Sequence, residues 1–275
     1  MKVTIRGNEY ELEQFECNKQ EKFPFYINIT NACNAKCKFC SNGKNKDLGK
    51  LDLDELKSII DEAKPYIRRF AISGGEPLIN EDDLKNLLDL LDSYGIKITL
   101  NTNGTYLLDR LDLLNKYNNI ESVHLSRHHY EDDLNNKLFG KEVISFDDMK
   151  RVNLKPFYNI NCLLIKGYID SLDEVVNFME KMSELDVHKV GFVSMMKVNK
   201  FAKDNFVDFN EFKVRENESF LPLINFKDGN RCTCHNYYYY AKNGKKILVF
   251  FRYTEEYGYS KRSLFYDCKG LKEGY

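Results

Sequence analysis

The stretch FPFYINITNACNAKCKFC, residues 23–40, joins two patterns that rarely meet by chance. Its first part, FPFYINIT (23–30), is rich in aromatic and β-branched residues and reads as a short buried strand. Its second part carries three of the chain's eight cysteines at the spacing Cys33-x3-Cys37-x2-Cys40. Working outward, helical and strand periods alternate. Residues 52–64 place Leu53, Leu56, Ile59, Ile60 and Ala63 at helical spacing, and 68–73 read as a strand. Residues 80–95 form a helix that starts at an Asn80 cap and stops at Gly95, followed by a strand over 96–103. A helix over 106–117, a strand over 120–126 and a short helix over 145–152 come next, the last with a Ser145/Asp148 cap. A strand over 158–165, a helix over 171–185 opened by a Ser171/Glu174 capping box, and a strand over 188–196 complete six repeats.

Such alternation predicts a parallel sheet with right-handed crossovers, open or curled toward a barrel. In either form chemistry gathers at the C-terminal ends of the strands. Those ends carry the cysteines, then SGGEP (73–77), NTNG (101–104) and SRHH (126–129). The alternation stops near residue 197. Beyond it, 206–224 is expected to hold one or two short helices, and 231–253 a β-hairpin turning at Asn243-Gly244. The chain therefore divides into an N-terminal extension (1–22), a βα region (23–196) and a C-terminal extension (197–275).

The 275 residues carry 41 Lys plus Arg against 42 Asp plus Glu, and the near balance argues against a nucleic-acid partner. The first 15 residues lack the apolar run of a signal peptide, and the longest apolar run, ILVFF (247–251), is far too short to span a membrane. A cytoplasmic location is expected, where clustered cysteines serve metals or catalysis rather than disulfides. A structural zinc site wants four ligands, and beyond Cys40 the next candidate is His124. Three thiolates in one loop suit a [4Fe–4S] cube whose fourth iron is left for another ligand.

The cysteine spacing after a first strand, with Phe39 before the last cysteine and GGEP (74–77) after the second strand, resembles the signature of the radical S-adenosylmethionine (radical SAM) superfamily. The resemblance covers residues 23–196 and implies an α/β fold, a partial (β/α)6 barrel with a small C-terminal hairpin and helix extension. It implies Cys33, Cys37 and Cys40 as ligands of a [4Fe–4S] cluster that binds SAM. It also implies reductive SAM cleavage to a 5′-deoxyadenosyl radical, fed by a flavodoxin or ferredoxin-type electron donor. Phe39, Gly74, Gly75, Glu76, Asn101, Asn103, Ser126, Arg127, Asn161 and Val193 are the implied SAM-binding positions. Glu76 is expected to act from behind the ligands, and Arg127 to grip a carboxylate bidentately. Arg127 and His128 are the catalytic candidates, the latter as a substrate contact or proton donor. Cys162 reads as a buried apolar cysteine, and the Tyr237–Tyr240 run as packing.

Cys232, Cys234 and Cys268 flank the hairpin and resemble the twitch-type extensions of some superfamily members, which implies a second iron–sulfur cluster. Zinc and unligated thiols are the alternatives. The substrate is expected to be a peptide that is crosslinked, oxidised or epimerised. The alternatives are a small metabolite (a sugar, nucleoside or amino-acid derivative) and a non-catalytic redox sensor.

Overall fold

The computed structural model describes residues 2–12, 22–40, 49–223, 235–252 and 263–274. Six βα units follow one another, as the periodicity requires. Strand β3 (Phe23–Asn28; β1 and β2 precede it) leads to helix α1 (Leu53–Ala63), β4 (Ile67–Ser73) and α2 (Glu81–Asp92). Then come β5 (Ile98–Thr102), α3 (Leu111–Lys116), β6 (Ile120–Ser126), α4 (Asp132–Phe139) and α5 (Phe146–Met149). Strand β7 (Phe157–Leu164), α6 (Leu172–Met182), β8 (Lys189–Ser194) and α7 (Lys200–Asp204) finish the series. The caps expected at Asn80, Ser145 and Ser171 form, and Asp52 adds another. The side chains of Asp52, Asn80, Ser145 and Ser171 accept the backbone N–H groups of Glu55, Asp83, Asp148 and Glu174, each satisfying a donor that the first helical turn leaves open.

The sheet is larger than six strands. Strand β11 (Lys246–Arg252) pairs parallel with β8, and β12 (Leu264–Asp267) pairs parallel with β3. Among the described residues, the strand order is β13-β12-β3-β4-β5-β6-β7-β8-β11-β10-β9, an open and therefore partial barrel. Here β13 is Gly270–Glu273, β10 is His235–Tyr240 and β9 is Phe220–Pro222. The eight strands from β12 through β11 all run parallel. The hairpin expected at Asn243-Gly244 is present as β10 and β11, with Tyr238 opposite Leu248.

Two local features depart from expectation, and a third takes a shorter form. Residues 206–223 hold two short helices, both 3-10 turns (Phe209–Phe212 and Val214–Glu216), and then β9. Lys213 sits at φ +47, a left-handed conformation that ends helical propagation. Helix α4 was not expected, because only Leu134, Leu138 and Phe139 interrupt a polar segment. The N-terminal extension forms an antiparallel hairpin of β1 (Lys2–Ile5) and β2 (Asn8–Glu11). Its Val3 and Ile5 are buried in the core, and Arg6 bonds to Glu55 of α1.

The core lies between the outer face of the sheet and the helices. Its apolar positions alternate along the strands, as with Phe25 and Ile27, Phe70 and Ile72, and Ile160, Cys162 and Leu164. Cys162 is fully buried there, as its sequence context suggested. The C-terminal strands share this layer. Phe251 of β11 stacks on Phe192 of β8 at 5.2 Å between ring centres and meets Phe209, Phe220 and Tyr237. Tyr237 and Tyr239 are buried while Tyr240 is exposed, so the tyrosine run alternates faces. No helix among the described residues is long and apolar enough to cross a membrane.

Phe251 thus tests whether the last strands belong to the same folding unit. Phe251→Ala is expected to lower stability by about 3–5 kcal/mol within one cooperative urea transition. A separate early transition that carries only the C-terminal signal would contradict a shared core.

Candidate active site

The loop that follows β3 holds Cys33, Cys37 and Cys40, and it is fastened from several sides. The Gly75 N–H donates to the Thr30 carbonyl at 2.6 Å, and the Glu76 N–H to the Ala32 carbonyl at 2.8 Å. A Cβ on Gly75 would lie 2.1 Å from the Ala32 oxygen. A Cβ on Gly74, at φ +150, would lie 2.5 Å from the Thr30 oxygen. The glycines of GGEP are therefore required by the close approach of this loop to the cysteine loop itself. Farther along, the Lys36 N–H donates to the Phe139 carbonyl at the end of α4, and Asn199, the α7 cap, donates its side-chain amide to the Lys38 carbonyl.

Glu76 is fully buried, and its carboxylate is consumed by the protein. Oε1 accepts from the Thr102 hydroxyl at 2.7 Å and from the Leu78 N–H at 3.0 Å; Oε2 accepts from the Asn103 N–H at 2.8 Å. Burial raises its pKa, and these hydrogen bonds oppose the rise. Asn103 in turn donates to Asn34 at 2.8 Å, one residue from Cys33, and accepts from the Thr105 N–H. Glu76 and Asn103 thus connect β4, β5 and the cysteine loop. Asn101 donates to the Ile72 carbonyl at 3.3 Å.

Cys33 is exposed, and Cys37 and Cys40 are half-buried. Burial pushes the Cys37 thiol up to about 12, with further upward pressure from Cys40 and Cys33. Cys33 is also raised, first by burial, then by Glu76 and Cys40. Among the described residues, no three Cys, His, Asp or Glu side chains converge as a preformed metal-holding group. The donor chemistry nonetheless fits an iron–sulfur core. Three thiols whose charges oppose one another gain from a shared cationic centre, which deprotonates its ligands as it binds.

Alternation along β6 separates the remaining candidates. Ser126 lies opposite Asn161 of β7 in register. On the same inner face, His124 meets Ser122 at 2.9 Å, Asn159 at 3.2 Å and Asn161 at 3.3 Å. Among the described residues, the side-chain oxygens of Asn159 and Asn161 have no hydrogen-bond partner. Val193 is buried on β8, between Leu163 and Arg252 in register.

Arg127 points the other way, a correction to its expected place on SAM. It is 1% exposed. Its guanidinium reaches Asp132 at 2.6 Å, the Tyr130 carbonyl at 3.0 Å and the Ile144 carbonyl at 3.4 Å, and lies over the Phe146 ring. Its two terminal nitrogens pin the 130–146 segment to the outer side of β6, while its buried Nε has no partner among the described residues.

His128 is also engaged in packing. Its Nδ1 accepts from the Leu163 N–H at 3.1 Å, which places the ring proton on Nε2. The ring stacks on Phe139 and meets the edge of Phe39 at 4.9 Å, which supports the cysteine loop from below. Burial, with Arg127 beside it, lowers its pKa to about 3. His128 is therefore neutral near pH 7 and is not an ionised acid there. Cys268 lies just beyond β12, at the sheet end that also carries the cysteine loop. Cys232 and Cys234 lie outside the described residues. Sequence reasoning missed Arg69, His124, Asn159, Lys189 and Arg252 as inner-face residues. Their alternation with core residues was the available signal.

Two outcomes follow from these placements. Arg127→Met leaves two carbonyls without their donor, while the partly exposed Asp132 keeps the Phe146 N–H, and is expected to cost about 1–3 kcal/mol in urea unfolding. Near-native stability with weakened SAM binding would instead return Arg127 to the cofactor. For His128, the folded pKa of about 3 lies below the ordinary 6.5. The unfolded chain binds its proton first, so this stability is present above 6.5 and is lost as pH falls toward 3. His128→Gln is expected to flatten the fall in urea midpoint over that window; an unchanged slope would refute this account.

Comparison with known proteins agrees with this geometry. A Methanocaldococcus jannaschii protein named for glycyl-radical enzyme activation is 31% identical over 168 residues, covering 58% of this chain and 63% of that one. The GTP 3′,8-cyclase of Aquifex aeolicus is 30% identical over 186 residues, covering 62% of this chain and 56% of the relative. The matches thus span about three-fifths of these curated relatives. Among solved structures, Streptococcus suis SuiB bound to S-adenosylmethionine superposes with a TM-score of 0.67 at 18% identity, covering 91% of this chain and 60% of that one. The same protein bound to its precursor peptide SuiA gives 0.57 at 23%, covering 66% and 41%. The family model described as the radical SAM superfamily matches residues 27–212, and with the cysteine loop, its glycine support and the parallel partial barrel this chain belongs to that superfamily of [4Fe–4S]- and SAM-dependent enzymes.

Proposed function

We propose that the protein cleaves SAM reductively and directs the resulting radical at a small polar molecule held against the inner face of its sheet. Cys33, Cys37 and Cys40 hold the cluster. Gly74 and Gly75 keep the adjoining backbone close to the cysteine loop, and Glu76 with Asn103 fixes the loop's far side. Asn161 and Ser126, paired across β6 and β7, present polar atoms to SAM from the inner face, and Asn101, Phe39 and the Val193 backbone complete its surroundings. With the cluster and SAM bound, the chemistry supplied is one-electron cleavage to methionine and a 5′-deoxyadenosyl radical, which takes a hydrogen atom from substrate. A flavodoxin or ferredoxin-type protein delivers the electron.

The observation that carries this reading is the three-cysteine loop locked to GGEP at the C-terminal end of the sheet. The inner face favours a small polar substrate over the peptide expected from sequence. His124, Ser122, Asn159 and Asn161 form a polar network there, with open acceptors on both asparagines. The peptide alternative draws on fold similarity to SuiB alone. Cys268, with Cys232 and Cys234, remains the candidate set for a second cluster.

Iron counting with an activity assay tests the proposal. After anaerobic reconstitution, the Cys33→Ala, Cys37→Ala, Cys40→Ala triple variant is expected to lose about four irons per chain relative to wild type. It should also form no 5′-deoxyadenosine. Iron retained in the triple variant would be assigned to the second cysteine group. Retained 5′-deoxyadenosine formation would refute the proposal.

A further inference from the structure

The inner face of the sheet gathers positive charge that the chemistry above does not use. Lys189, at the start of β8, lies in register with Asn159, and Asn159 with His124. The next inward position on β8 is Gly191, and the ring of Phe250 from β11 fills the space a side chain would take; a Cβ there would lie 2.1 Å from the ring. Phe250 is therefore laid flat against the inner wall, and cations flank it. The Lys189 Nζ is 5.3 Å from its centroid and the Arg252 guanidinium carbon 5.4 Å. Arg69 of β4 alternates with the outer core residue Phe70 and so faces inward as well. Among the described residues, no carboxylate forms an ion pair with Lys189 or Arg69. Glu121, the acidic group whose charge reaches Lys189, is itself paired with Lys97.

Like charges on one face repel, and the half-buried Lys189 and Arg69, without a carboxylate partner among the described residues, are costly to keep. The effect is felt locally. Burial, then the charges of Arg69 and Arg252, lowers the pKa of Lys189. Burial, then Lys189, Arg252 and Arg69, lowers His124 to about 3. An anion bound among these groups would relieve both. Guanidinium forks suit phosphate and carboxylate oxygens, and the ammonium adds a point charge. The open acceptor on Asn159 would take a hydroxyl or N–H donor next to the anionic group.

We propose that Lys189 and Arg252, which flank the Phe250 ring, together with the inward-facing Arg69 of β4, bind the phosphate or carboxylate of a small anionic substrate. Its assignment to the substrate rests on the radical SAM reading above. The site lies on the inner face, where the C-terminal strand β11 meets β8, so the barrel and the last strands build it jointly.

Calorimetric titration of the intact protein with inorganic pyrophosphate and, separately, with citrate tests the site. Lys189→Met keeps the stem beside Phe250 and removes the charge. Arg69→Gln removes a second charge from another strand, and Lys246→Met serves as a surface control. The expected result is one-to-one binding of at least one probe to wild type. Affinity should fall about tenfold in Lys189→Met and in Arg69→Gln, the weight of one charge-assisted hydrogen bond, and hold in Lys246→Met. Tighter pyrophosphate binding would identify a phosphate, and tighter citrate binding a carboxylate. If one variant fails to fold by circular dichroism, the other decides. No binding to wild type, undiminished binding in the folded variants, or equal loss in Lys246→Met would overturn the proposal. SAM cleavage by wild type is measured apart. Its absence with anion binding intact would refute the radical chemistry and leave the anion site standing.

Discussion

Two backbone hydrogen bonds, from Gly75 to Thr30 and from Glu76 to Ala32, set the position of the cysteine loop. They bring the loop after β4 so near the loop after β3 that no side chain fits between them at residues 74 and 75. The rest of the site is arranged around this contact. The same turn buries Glu76, whose carboxylate then organises Thr102 and Asn103, and Asn103 returns to Asn34 beside Cys33. The cysteine loop is anchored by a closed chain of contacts through three successive strand ends. A residue such as Glu76 can therefore be central without touching a cofactor, because an unpaired carboxylate in that place would cost several kcal/mol.

The second organising element is the two-residue period of the strands. It sends Val123, Leu125 and Arg127 outward and Ser122, His124 and Ser126 inward along β6. The outward set meets helices and the 130–146 segment, where Arg127 is compensated by Asp132 and carbonyls. The inward set meets polar partners from β7. Chemistry and stability are thus divided between two faces of one strand, and adjacent residues at its end have opposite tasks.

This division explains what the sequence made legible. The βα alternation, the helix caps at Asn80, Ser145 and Ser171, and the hairpin at Asn243-Gly244 are local signals, and local structure follows them. The cysteine loop and GGEP were legible as a pair, and the close approach of the two loops gives the glycines a packing reason that the sequence did not show. Arg127 was misread because residue type was weighed above strand alternation; its parity with Leu125 pointed outward. The parallel pairing of β11 with β8 and of β12 with β3 was not legible. It joins segments about 60 and 240 residues apart, and nothing in local propensity encodes partner choice at that range.

That long-range pairing gives the fold its functional consequence. The barrel strands supply the cysteine loop and its supports, and β11 supplies Phe250 and Arg252 to the inner wall. Gly191 is the accommodation made by β8, since any side chain there would displace the ring. The outer face of β11 is equally committed, with Phe251 locked into the core beside Phe192. A strand fixed on its outer face can vary its inner residues without loss of position. Changes at 250 and 252 would therefore alter what the inner wall binds while leaving the cysteine loop, at the far ends of β3 and β4, in place. On the proposed reading, radical generation and substrate recognition are separable because they are built from different strands of one continuous sheet.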